Sequence, residues 1–165
     1  MIVLVGFMGA GKTTVGRLVA EALGLPFIDA DAAIEAAAGQ SVADIFAASG
    51  EAGFRALEAE VITGLLSGAE AVLALGGGAL GSEAVRSALA GHRVVLLDVS
   101  LEEALSRVGA DPSRPMLARP DLPELFAARQ QAYRATAGVV VAAGSADPTS
   151  VAQQVLAALA PTTGP

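Results

Sequence analysis

With 165 residues, a net charge of −7 and a pI near 4.6, the chain has the size of one domain and is a poor electrostatic match for nucleic acid or an anionic membrane. An anionic small molecule would therefore have to be held by a few placed cations rather than by a general field. The lack of cysteine excludes a disulfide frame or a thiolate site, and no stretch reaches the ~20 apolar residues needed to cross a bilayer.

The chain opens on Ile2-Val3-Leu4-Val5, a short apolar, largely β-branched run with the pattern of a buried strand. With no basic segment before it and no small-residue cleavage site after it, it does not read as a secretory leader, and a cytoplasmic protein is expected. It runs into Gly6-Phe7-Met8-Gly9-Ala10-Gly11-Lys12-Thr13, which fits G-x-x-x-x-G-K-[ST]; Val15, Leu18, Val19, Ala22 and Leu23 then recur at helical spacing up to Gly24. Strand, glycine-rich turn and helix in that order form the setting of a phosphate-binding P-loop. The glycines let backbone N–H groups close around a phosphate chain, and the helix aims its positive end at the same place. Lys12 is expected to reach the β- and γ-phosphates and the Thr13 hydroxyl to ligate Mg²⁺. Lys12 is also the only lysine in the chain, so a generic surface-charge role does not suit it.

Leu25 to Asp29 reads as a second strand, ending in Asp29-Ala30-Asp31 just before a helix. Carboxylates at the C-terminal end of a strand lie where open α/β sheets place their sites. Either one of them simply caps the helix, or one helps to hold the metal while the other meets a substrate hydroxyl. Ser41 and Asp44 start another helix in a capping-box-like arrangement, and Gly50 ends it. A longer helix follows, with Phe54, Leu57, Val61 and Leu65 on the helical beat. Arg55 and Glu58 share one of its faces, and spacing alone reads them as a surface ion pair.

Ala71 to Leu75 is a third buried-type strand running into Gly76-Gly77-Gly78, a sign of close backbone approach. A helix from about Ser82 to Ala90, a fourth strand Arg93 to Val99 and a helix through Arg107 opened by a Ser100–Glu103 capping box come next. His92 reads as a solvated turn residue without a role. From about 109 to 121 the chain is broken by Pro112, Pro115 and Pro120 and carries Arg114 and Arg119. This composition suits a lid, or an ordinary solvated loop. Leu122 to Thr136 is helical again, Val139 to Val141 a fifth strand, Thr149 to Leu159 a final helix, and 161–165 a frayed tail. Strands alternating with helices through short connections imply a parallel sheet covered on both faces.

Taken together, these segments resemble the shikimate kinase family over nearly the whole chain. The P-loop has the form G-F-M-G-x-G-K-[ST], and the D-x-D is Asp29-Ala30-Asp31. G-E-x-x-F-R-x-x-E stands at Gly50 to Glu58, L-G-G-G-A at Leu75 to Ala79, R-P-[LM]-L at Arg114 to Leu117 and R-x-x-x-Y at Arg129 to Tyr133. The resemblance implies a three-layer α/β/α P-loop NTPase fold with a five-stranded parallel sheet. Residues 1–160 would form one kinase domain, with substrate-binding helices at about 30–66, a short lid at about 109–121, and no partner chain required. It further implies transfer of the γ-phosphate of ATP to the 3-hydroxyl of shikimate, on the way to chorismate and the aromatic amino acids.

In that scheme Gly9, Ala10, Gly11, Lys12, Thr13 and Thr14 hold the phosphates, Arg107 lies against adenine, and Thr13 and Asp29 serve the Mg²⁺. Asp31 meets the attacking hydroxyl and accepts its proton, and Arg55 and Arg129 clamp the shikimate carboxylate, overturning the surface-pair reading of Arg55. The Gly76, Gly77 and Gly78 backbone approaches the ring hydroxyls, and Arg114 arrives with the lid as an arginine finger in cis. Three departures stand out. The stretch from Arg114 to Arg129 is about one helical turn shorter than the family pattern. Gly144-Ser145-Ala146 replaces an adenine-side arginine near Pro148, and Arg119 is an extra cation without an assigned role.

Overall fold

The apolar runs assemble into one parallel sheet. In the computed structural model, which describes residues 1–109 and 119–160, the strands are β1 (Ile2–Val5), β2 (Phe27–Asp29), β3 (Val72–Ala74), β4 (Arg93–Asp98) and β5 (Val139–Ala142). Their order is β2-β3-β1-β4-β5, all parallel. Every residue of β1 and β3 is buried, the pattern of strands covered on both faces.

Register decides where chemistry can happen. Leu4 pairs with Ala74 and Ala74 with Asp29, while Asp98 pairs with Ala142. The C-terminal ends of β1, β2 and β3 thus lie within one residue of one another, β4 and β5 run two residues past β1, and the turns that leave all five share one edge of the sheet. The P-loop, Asp29, Gly76 and the segment after Ala142 all lie on that edge.

The helices are α1 (Lys12–Leu23), α2 (Ala30–Ala38), α3 (Val42–Leu66), α4 (Glu83–Ala88), α5 (Leu101–Val108), α6 (Leu122–Thr136) and α7 (Pro148–Leu159), with a 3₁₀ turn at Ala79–Gly81. Helices α1 and α7 pack together, and α3, α4 and α6 gather around the 3₁₀ turn. No described helix is long and apolar enough to cross a membrane. Ile34, Ile45 and Phe54 form a small apolar cluster between α2 and α3, separate from the main core, with Leu57 and Val61 packed against it. The segment expected to bind substrate thus has an apolar anchor of its own.

Local sequence explains the joints. Gly50 has φ 67 and ψ −176 inside α3, so the break expected there is present as a kink between two helical pieces. The Ser100–Glu103 capping box forms in both directions. Its counterpart at Ser41 forms only in part. Asp44 N donates to Ser41 Oγ, but the shorter aspartate turns its carboxylate to the Ser41 hydroxyl at 2.6 Å. His92 is half-buried rather than solvated, with Nδ1 3.1 Å from the terminal amine of Met1. Desolvation and then that neighbouring charge lower its pKa.

The helical beat of α3 also differs from expectation. Its buried stripe is Phe54, Glu58, Ile62 and Leu66, not Phe54, Leu57, Val61 and Leu65. The helix lies between two apolar clusters. Ile62 and Leu66 face the main core, while Leu57 and Val61 lean on the small one.

Candidate active site

The P-loop comes straight off β1. Gly11 takes the left-handed conformation, φ 88 and ψ 18, and caps α1 without a side chain, so the first N–H groups of that helix are left to an anion. The loop curls around its own lysine: Lys12 Nζ donates to Gly6 O at 2.8 Å and Phe7 O at 3.1 Å. Gly9, Ala10, Gly11, Lys12, Thr13 and Thr14 all line a cleft of about 510 Å³.

Asp29 caps α2, as one of the two readings of the sequence had it, and its second oxygen turns to the phosphate loop. Its Oδ1 accepts from Asp31 N at 3.0 Å and so caps α2, while its Oδ2 accepts from Thr13 Oγ1 at 3.0 Å. Two hard oxygen donors therefore sit side by side next to the phosphate loop. This suits a Mg²⁺ that takes one or two protein oxygens and completes its shell with phosphates and water.

Asp31 lines the same cleft, at the first turn of α2. Desolvation, then the negative charge of Asp29, raise its pKa above the ordinary 3.8. The residue is otherwise exposed, so solvent screening keeps the effect moderate. A raised carboxylate beside a phosphate site is a better proton acceptor than an ordinary aspartate.

On the far side of the Gly76–Gly78 turn is a second hollow, of about 630 Å³, with Arg55, Arg129 and Tyr133 in its wall. Gly77 borders both hollows. A Cβ on Gly76 would stand 3.0 Å from Asp31 Oδ1, one on Gly77 3.2 Å from Arg129 Nη1, and one on Gly78 2.5 Å from Arg55 Nη2. The three glycines thus let a carboxylate and two guanidinium groups close on one stretch of backbone.

Each arginine is held in place. Arg55 Nη1 donates to Glu58 Oε2 at 2.6 Å, and its guanidinium lies 5.1 Å from the Phe54 ring centroid. Arg129 is packed over Phe7 at 5.8 Å. Burial, with the charge of Arg55 adding to it, lowers the pKa of Arg129, so an incoming carboxylate would relieve both.

Glu58 and Tyr133 were not among the expected site residues. Glu58 is only 2% exposed; burial raises its pKa and the hydrogen bond from Arg55 opposes the rise. Its sequence signal was a carboxylate spaced four residues from both Phe54 and Ile62, on the stripe that proves to be buried. Tyr133 is buried, its pKa pushed up to about 12 by burial, and its hydroxyl donates to Gly77 O at 2.5 Å. It therefore acts as a neutral brace for the glycine turn.

At the opposite end of the cleft, Arg107 of α5 donates to Gly9 O at 3.2 Å and to Ala143 O and Gly144 O. It ties the P-loop to the segment after β5, with Ala146, Pro148 and Val151 as neighbours in the cleft wall. Arg119 pairs with Asp121 through two bonds, at 2.8 and 2.6 Å, beside the start of α6. Arg114 and most of the expected lid lie outside the described residues.

A family model described as "Shikimate kinase" matches residues 8–160. The chain belongs to the shikimate kinase family. The shikimate kinase of Mycobacterium avium is 45% identical over 161 residues, 95% of this chain and 92% of that one. That of Rhodococcus jostii is 43% identical over 96% of both chains. Among solved structures, a shikimate kinase from Acinetobacter baumannii in complex with shikimate superposes with a TM-score of 0.90 at 39% identity, covering 96% of this chain and 91% of that one. The family fold accounts for the five-stranded parallel sheet and for the short turns that bring both hollows to one edge.

Proposed function

We propose that this chain is a shikimate kinase: it transfers the γ-phosphoryl group of ATP to the 3-hydroxyl of shikimate, giving shikimate 3-phosphate and ADP on the route to chorismate and the aromatic amino acids. One observation carries the reading beyond family membership. A phosphate cleft holding Lys12, Thr13 and Asp31 meets an arginine-walled hollow holding Arg55 and Arg129 at a shared glycine, Gly77. A phosphate donor and a carboxylate-bearing acceptor entering from the two sides would meet beside Asp31.

Phosphoryl transfer needs in-line positioning and charge neutralisation more than covalent catalysis. The N–H groups of Gly9 to Thr14 cradle the β- and γ-phosphates, and Lys12 leaves its loop carbonyls for their oxygens. Thr13 and Asp29 would hold a Mg²⁺, which would supply further charge neutralisation there. Arg55 and Arg129 grip the acceptor carboxylate, where two planar forks match its oxygens. The Gly76–Gly78 backbone meets the ring hydroxyls, and Asp31 orients the attacking one. As that oxygen bonds to the γ-phosphorus, the bond from phosphorus to the bridging oxygen breaks, its electron pair leaves on ADP, and the hydroxyl proton passes to Asp31. Arg107 packs against adenine, and Arg114 completes the charge shell as an arginine finger from the lid. In this reading the chain acts as a monomer and as a single kinase domain over 1–160.

The test is ADP release with ATP and Mg²⁺, alone and with shikimate, gluconate or quinate. Release that rises with shikimate is expected. A rise with another acid instead would reassign the hollow of Arg55 and Arg129, and silence in every well with ATP still bound would point to a nucleotide-binding regulator. Asp31→Asn is expected to abolish transfer while ATP binding persists. Wild-type turnover in that variant would remove Asp31 from its role.

A further inference from the structure

The hollow beyond the glycine turn has more wall than the proposed reaction uses. Its volume of about 630 Å³ is that of sites which enclose drug-sized ligands, whereas shikimate is a compact ring acid edged with hydroxyls. Arg55, Arg129, Gly77 and Gly78 answer the carboxylate and the hydroxyls. Much of the remaining wall is apolar: Leu80 from the 3₁₀ turn, Ala56 and Ala59 from α3, and Leu125, Ala128 and Ala132 from α6.

Helix geometry sets these residues beside the arginines. Side chains three or four apart share a helix face, so Ala59 follows Arg55 on α3, while Leu125 and Ala132 flank Arg129 on α6. Both helices pack on the 3₁₀ turn that carries Leu80. Leu80 is only 3% exposed, and Ala59, Leu125 and Ala132 are half-buried against the main core, so the trough between the helices has a packed floor. The polar members of the wall are Glu51, Ser82 and Tyr133. The Tyr133 hydroxyl is given to Gly77 O, and Glu51 stands at the exposed rim, 3.9 Å from Arg55 Nε.

We propose that this hollow also binds aryl-alkyl carboxylates, the carboxylate on Arg55 and Arg129 and the apolar tail along the trough between α3 and α6, so that such acids exclude shikimate. The inference rests on the kinase reading given above. Charge selects one end of the ligand: burial and the charge of Arg55 both weigh on the Arg129 cation, and an anion between the two guanidinium forks relieves it. Burial selects the other end, since each methylene taken out of water tightens binding by up to about fourfold. A ring covered in hydroxyls gains little from leucine and alanine, so substrate and competitor share the arginines and part company at the trough.

ADP release is measured across shikimate concentrations, and separately across ATP concentrations, with butanoate or 4-phenylbutanoate added. 4-Phenylbutanoate is expected to compete with shikimate and not with ATP, its inhibition constant lying below that of butanoate by about tenfold or more. A smaller gain, or competition with ATP, overturns the proposal. Ala132→Gln and Ala56→Gln each set a larger, polar side chain in the trough. They are expected to remove most of the gain while KM for shikimate stays within about twofold, and a loss in either places the tail there. A gain that survives in both variants puts the tail elsewhere and also overturns the proposal. Should neither variant fold, the comparison of the two acids on the unaltered protein decides alone. Shikimate-dependent ADP release without this inhibition defeats only this proposal, while no shikimate-dependent release defeats the kinase reading along with it.

Discussion

Asp31 and Gly78 show how much a single residue depends on what surrounds it. In the proposed mechanism Asp31 works as a carboxylate, and burial followed by the charge of Asp29 raises its pKa above 3.8. The sign follows directly: the ionised fraction, and with it transfer, falls as pH drops through that raised value. The acid limb of the kcat profile should therefore lie above the ordinary aspartate range, and Asp29→Asn should move it to lower pH whatever that variant does to the maximal rate. A limb that stays put would show that Asp31 is not the titrating group. Gly78 is a matter of space. Its φ is −102, open to any residue, but a Cβ would come within 2.7 Å of the Arg55 guanidinium carbon. In Gly78→Ala the guanidinium must swing off Glu58, a charged hydrogen bond worth about 1.5–3 kcal/mol. We expect KM for shikimate to rise roughly 10–100-fold, with KM for ATP nearly unchanged and the melting temperature lowered by roughly 3–12 °C as Glu58 loses its partner. A drop in melting temperature with unchanged KM would mean that the backbone moved instead. That Lys12, Thr13, Asp29 and Asp31 line one cleft was legible in sequence, because local strand, turn and helix context places them there. Glu58 was not. Its role depends on the buried side of α3, and a period of 3.6 residues fits two neighbouring stripes equally well.

At the scale of the element, legibility follows how local the cause is. Caps, breaks and apolar runs declare themselves in a few residues, so the Ser100–Glu103 box, the stop at Gly24 and the five strands stand where they were expected. The beat of α3 did not, because the helix serves two clusters at once. Its break at Gly50 gives a sharp test. With φ 67 and ψ −176, Gly50 occupies a region essentially closed to other residues, yet a Cβ there would meet nothing within 4 Å. Gly50→Ala therefore isolates backbone strain from packing. It should destabilise the protein by roughly 1–3 kcal/mol in urea denaturation, with an unchanged m-value. An unchanged midpoint would mean that the two pieces of α3 had rearranged around the substitution. Phe54, Arg55 and Glu58 lie just beyond the break, so such a rearrangement should also appear as a higher KM for shikimate.

The whole molecule adds what neither residues nor elements show: the strand order and register that bring the five strand ends to one edge and set the two hollows on either side of Gly77. No local signal in the sequence specifies that β3 lies between β1 and β2, since pairing order is settled by which faces are covered. The arrangement predicts how ligands stabilise the chain. A ligand that binds only the folded form adds about 2.7 kcal/mol at a hundred times its Kd, which for a chain of this length is a rise in melting temperature of roughly 5–10 °C. ATP with Mg²⁺ should give such a rise, and chelating the metal should reduce it, because Thr13 and Asp29 would then hold no metal beside the phosphates. Lys12→Ala should lose most of the ATP shift and keep the shikimate shift. Arg55→Ala should do the reverse, since it lines only the second hollow. Melting curves of the two variants with each ligand form a four-way comparison. Crossed losses would establish two adjoining sites on one sheet edge, and loss of both shifts in either variant would show that they act as a single cavity.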